Sequence, residues 1–193
     1  MADRTALTPA ARKVLDAASR LFYEHGLHAV GVDTIAAEAG VTKKTIYDRF
    51  GSKDALAVAY LRARDEAWRT LLEETLAARP QPGPERVLAL FDAAQAWSGR
   101  GMGRGCAAIN ARAEVADPQH PVALEVARQK AWVRERVRDL CAEAGLARPD
   151  TLAGALMLLY DGALAEDGMG TAPAPYATAR AAAQTLLGAA GSA

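Results

Sequence analysis

Residues 31–54 read GVDTIAAEAGVTKKTIYDRFGSKD, and this stretch decides the fold. Ile35, Ala36 and Ala39 recur at helical spacing and mark the buried stripe of a short helix. Gly40 follows where a left-handed residue ends a helix. Thr42 stands where a hydroxyl can cap the next helix, and Val41 and Ile46 flank that cap as a hydrophobic staple. Ile46 and Phe50, four apart, are expected to point inward, which leaves Lys43, Lys44 and Tyr47 on the outer face. Gly51 closes this helix and Ser52 caps a third. A short helix held from behind, with two cations and a phenol facing out, is how a helix-turn-helix enters the major groove.

The run IAAEAGVTKKTIYDRFGSKDAL resembles the DNA-binding signature of the TetR family of one-component transcriptional regulators. The resemblance is carried by Ile35-Ala36, Ala39-Gly40-Val41, Thr42, Thr45, Tyr47, Phe50 and Lys53, within residues 10–62. It implies an all-α dimer of about nine helices. An N-terminal three-helix helix-turn-helix unit, residues 1–52, would bind DNA. A C-terminal helical core, residues 53–193, would bind a small-molecule effector and dimerise. The resemblance further implies that Tyr47 and Lys53 contact phosphate. Thr34, Thr42 and Thr45 can offer neutral hydrogen bonds to phosphates or base edges. Asp48, awkwardly close to this face, can pair with Lys44 at i,i+4. One departure stands out: Val30-Gly31 precedes the first short helix where the family usually has a hydroxyl-bearing cap. Glycine is a tolerable cap, but a hydroxyl that could turn toward phosphate is missing.

Composition bounds the rest. The 193 residues suffice for a substantial core, and the abundance of alanine favours helices. Net charge is zero, yet residues 1–64 hold ten Lys/Arg against seven Asp/Glu, and residues 65–193 hold 13 against 16. That asymmetry has the sign expected if only the N-terminal part meets phosphates. The longest uncharged apolar run, Thr151 to Tyr160, is half of the roughly 20 residues of a membrane span. No secretory leader pattern opens the chain, so a cytoplasmic protein is expected, with no membrane partner. Cys106 and Cys141, 35 positions apart and without CxxC spacing, read as small buried hydrophobes.

Thr8-Pro9 caps and opens a first helix whose apolar stripe is Val14, Ala18, Leu21 and Phe22, and Gly26 stops it. The third helix of the reading unit continues from Lys53 through Trp68 and Leu72 to about Ala78, until RPQPGP at 79–84 breaks it. A helix from Val87 reaches Trp97. SGRGMGRG at 98–105 lacks the GK[ST] of a phosphate loop and reads as a flexible connection. A short helix from Cys106 to about Val115 follows, then a long one from His120-Pro121 to Ala144. Asp150 is expected to cap TLAGALMLLYDGALAED, a helix apolar on nearly every face. Cover for so much apolar surface is most simply supplied by a second copy of the chain. Leu152, Leu156, Leu159 and Ala163, with Ala182 and Leu186 of the last helix, are the expected dimer interface.

For the effector, the candidates are Phe91, Trp97, Met102, Cys106, Asn110, Trp132, Met157, Tyr160 and Asp161. Most are aromatic or soft, with Asn110 and Asp161 able to orient a ligand. An enzyme is disfavoured: His25 and His28 sit at a helix end, His120 stands before a proline, and neither HExxH nor GxSxG occurs. No cofactor or metal is expected. A regulator without a small-molecule ligand, controlled by protein contact or oxidation of Cys106, is the alternative.

Overall fold

A computed structural model describes residues 7–100 and 103–191, and all regular structure among them is helical, in nine helices. They are α1 (Pro9–His25), α2 (Val32–Ala39), α3 (Lys43–Phe50), α4 (Lys53–Ala77), α5 (Pro84–Ser98), α6 (Ala107–Ala113), α7 (Pro121–Glu143), α8 (Pro149–Met169) and α9 (Pro175–Gly191). The chain divides into two compact units. One holds residues 1–64 and 107–126; the other holds 65–106 and 127–193. The unit with the helix-turn-helix thus extends past residue 52, taking in the start of α4, all of α6 and the start of α7.

In the first unit α1, α2 and α3 pack on one another. Their shared core is Val14, Ala18, Ile35 and Ile46, joined by Leu56 and Tyr60 of α4, with Phe22 and Tyr60 ring to ring at 5.8 Å. The helix ends follow local chemistry. The Thr8 hydroxyl accepts from the Ala11 N–H, and the Ser52 hydroxyl accepts from the Ala55 N–H at 3.0 Å. Gly40 ends α2 in the left-handed region at φ 63°, which only glycine enters without strain.

In the second unit α8 packs against α9 and α5, and α5 against α9. Phe91, Leu156 and Leu187 are all but completely covered there. Two sequence expectations need correction. Asp150 does not cap α8: Pro149 takes the first helical position after Arg148, which caps without a side-chain bond, so Asp150 lies in the first turn. There it still faces the positive end of the helix. The connection at 98–105 is also tied down at its two described ends. The Ser98 hydroxyl donates to Asp167 at 2.7 Å, and Gly105 lies against the backbone of Leu164 and Gly168. No described helix is long and apolar enough to cross a membrane.

Candidate nucleic-acid interface and effector core

Thr42 caps α3 as its position suggests: its hydroxyl accepts from the Thr45 N–H at 3.2 Å and lies 2.9 Å from the Thr45 hydroxyl. Ile46 is fully buried and anchors the helix from behind, whereas Phe50, expected inside, is only half-buried. It sits in the last turn of α3, next to the exposed Gly51. Thr34, Thr42, Lys43, Lys44 and Tyr47 are exposed, and Thr45 and Lys53 are half-buried. The outer face of α3 therefore carries the side chains that the sequence assigns to it.

Neither lysine is idle in the absence of nucleic acid. The Lys44 ammonium donates to Asp48 at 2.6 Å, one turn on. The Lys43 ammonium donates to Asp33 of α2 at 3.0 Å, and this hydrogen bond, with the attraction of the carboxylate, raises the lysine's pKa. Asp33 is a partner the sequence did not flag, because nothing local links positions 33 and 43. Gly31 caps α2 without a side-chain bond, so the missing hydroxyl is not replaced there.

Glu114 is a second group that sequence reasoning missed. Its carboxylate accepts from the backbone N–H of Leu27 at 2.9 Å and of His28 at 2.7 Å, with the His28 Nδ1 3.2 Å away. It thereby ties residues just after α6 to the turn between α1 and α2. Burial raises the pKa of this carboxyl, but the two backbone N–H bonds and His28 outweigh that and hold it below its ordinary value.

In the second unit several expected effector residues do come together. Trp68 of α4 meets Trp97 edge-on at 6.2 Å and Tyr160 at 5.9 Å. Lys130 of α7 donates to Asp161 at 2.5 Å, sits 3.8 Å from the Cys106 sulfur and lies 5.3 Å from the centre of the Tyr160 ring. Burial pushes the Tyr160 phenol well above its usual range. Trp132 is turned to a different neighbour, the guanidinium of Arg69 at 4.0 Å. Phe91 and Met157 are buried in the helical core. Asn110 belongs to the other unit, and Met102 lies outside the described residues. Trp68 and Lys130, the two side chains that link this cluster, were not among the sequence candidates.

The expected dimer residues divide. Leu152, Leu156 and Ala163 are buried within the protomer, in which α8 packs against α9 and α5. Leu159 is half-buried, and Ala182 and Leu186 are exposed. Leu158, on the same all-round apolar helix but not among the expected interface residues, is 78% exposed.

Comparison with known proteins bears on all of this. The family described as "Bacterial regulatory proteins, tetR family" matches residues 14–60. The crystal structure of SCO4454, a TetR-family transcriptional regulator from Streptomyces coelicolor, superposes with a TM-score of 0.86 at 32% identity, over 94% of this chain and 95% of that one. This chain belongs to the TetR family. A second TetR-type structure, sav143 from Streptomyces avermitilis, gives a TM-score of 0.78 at 30% identity over 96% of this chain and 99% of that one. Among curated relatives, the transcriptional activator FasR of Mycolicibacterium smegmatis is 46% identical over 50 residues, which is 26% of this chain and 23% of FasR. An uncharacterised HTH-type regulator of Mycobacterium tuberculosis is 43% identical over 60 residues, 31% of this chain and 29% of that protein. The chain thus spans less than a third of the curated relatives it matches. As a TetR-family transcriptional regulator it shares its helix-turn-helix with them, while its C-terminal core finds its likeness in the solved structures.

Proposed function

We propose that this chain is a homodimeric, sequence-specific DNA-binding regulator that represses transcription until a small molecule releases it. The observation that carries the DNA reading is α3: capped by Thr42, anchored by buried Ile46, and presenting Lys43, Lys44 and Tyr47 outward. DNA reading belongs on this account to the helix-turn-helix of residues 1–52, and effector binding with dimerisation to residues 53–193. Two recognition helices related by a dimer axis read half-sites one or more helical turns apart, so the operator is near-palindromic. The dimer forms through the outer faces of α8 and α9, where Leu158, Gly162, Ala182 and Leu186 stand exposed. The activator FasR shares only part of the reading head, which supports DNA contact and leaves the direction of control to the core. The regulator works in the cytoplasm, beside the DNA it reads.

α4 and α7 supply residues to both compact units, so, with the junction at Cys106 and Ala107, they are the covalent routes by which an effector would act on DNA binding. The effector can shift the equilibrium only by its differential affinity for the two states, about 1–3 kcal/mol for a typical coupling. Reciprocity makes the test. Mobility-shift titration against duplexes from the gene's own neighbourhood is expected to find a site whose affinity falls as effector is added. Operator is expected to weaken effector binding by the same factor. Failure to shift any such duplex at low salt overturns the DNA reading. Equal effector affinities with and without operator show that the compound is not the inducer.

The Cys106 sulfur, 3.8 Å from the Lys130 ammonium, favours one second reading, control by oxidation of that thiol. Cys106→Ser is expected to abolish peroxide-dependent release from operator on that account, and to leave release by a small molecule unchanged on the first.

A further inference from the structure

We propose that the effector is a flat, uncharged molecule bearing a hydrogen-bond acceptor that the indole N–H of Trp68 receives. The inference rests on the ligand-responsive reading above and narrows it to a chemistry. Trp68 is 7% exposed, and its Nε1 is buried without a hydrogen-bond partner. An indole nitrogen can only donate, so whatever completes it must accept: a carbonyl, an ether or a ring nitrogen. Buried polar groups in native proteins are paired in the great majority of cases, and an orphan calls for an explanation. The edge-on approach to Trp97 offers at most an N–H···π contact, second-order beside a true N–H···O bond.

The surroundings define the rest of the ligand. Trp68, Trp97 and Tyr160 present three aromatic rings within 6.2 Å of one another along the chain of contacts, which favours a planar body that can stack or meet them edge-on. Of the two cations against those rings, Lys130 is already matched by Asp161 at 2.5 Å, and Arg100, 5.6 Å from the centre of the Trp97 ring, is exposed, so its charge is solvated. A neutral ligand leaves the Lys130–Asp161 pair intact, whereas an anion or a cation would have to compete with one of its members.

Matched probes test this: 9-fluorenone against fluorene, and anthrone against 9,10-dihydroanthracene, each pair differing in one carbonyl. Calorimetric titration of the full-length wild type is expected to show the carbonyl member binding about ten-fold tighter, the equivalent of one hydrogen bond. Trp68→Phe keeps an aromatic ring and removes the N–H, so it is expected to erase the preference while leaving the carbon analogue's affinity within about two-fold. Should that variant not fold, 3-benzothienylalanine at position 68 keeps the bicyclic shape and still lacks the donor. Equal binding of both members to the wild type, no binding of either ketone, or a preference that survives loss of the N–H overturns the proposal. A metabolite that releases operator with no dependence on Trp68 overturns it too, yet leaves the ligand-responsive reading standing. A broad metabolite screen in which nothing affects operator binding sinks both.

Discussion

Gly105 has φ +65°, and a Cβ built on it would stand 2.4 Å from the Leu164 carbonyl oxygen and 2.9 Å from the Gly168 Cα. Both obstacles are backbone and cannot swing aside. Gly105→Ala is therefore expected to destabilise the fold by about 2–4 kcal/mol, combining left-handed strain with overpacking. Gly40 has nearly the same φ, 63°, with nothing within 4 Å of its Cβ position, so Gly40→Ala should cost only about 1–2 kcal/mol. Denaturant midpoints of the two variants, measured side by side, check the contrast. Glu114 gives a pH-dependent counterpart. Because its folded pKa is depressed, its contribution is present above the ordinary glutamate value of about 4.3 and is lost as pH falls through the lower folded value. Glu114→Gln is expected to flatten the acid limb of the stability profile below about pH 4.3. The caps Thr8, Thr42 and Ser52 were legible in the sequence because capping involves only neighbours three residues away. Glu114 was not, because its partners lie 86 and 87 positions off.

At the scale of the helix, α3 enters any encounter with DNA carrying its own counterions. Lys43 is held by Asp33 and Lys44 by Asp48. Such exposed pairs contribute little to stability, so they are readily exchanged for phosphate. Asp33→Asn is expected to leave the thermal midpoint nearly unchanged while raising operator affinity several-fold and steepening its salt dependence by about one charge. A variant that binds more weakly would mean that Asp33 orients Lys43 for contact. Lys53→Ala should weaken binding to all sequences alike. The recognition helix was readable because its inward residue, its cap and its cations share eight consecutive positions. α8 was not, since its apolar residues cover several faces and the sequence alone does not say which face meets α9 and α5 and which remains exposed.

For the whole molecule, that distinction decides how the dimer should be tested. Leu156 is fully buried, so a charge there would unfold the protomer and say nothing about association. Leu158 is 78% exposed, so Leu158→Glu is expected to keep the protomer's melting behaviour and convert the dimer to a monomer in sedimentation at micromolar concentration. A wild type that already sediments as a monomer overturns the assembly. The all-helical fold and its nine elements followed from composition, periodicity and breakers. The cluster of Trp68, Lys130 and Asp161 did not, since it gathers residues from α4, α7 and α8 that only folding brings together. The division of the chain into a first unit made of two separate stretches, 1–64 and 107–126, has a consequence for anyone who would re-engineer it. Joining this reading head to another regulator's sensor by a single splice after Arg64 would part Leu27 and His28 from Glu114, Asp54 from His120 and Arg62 from Glu125. A working graft has to transplant both stretches together, as one discontinuous cassette.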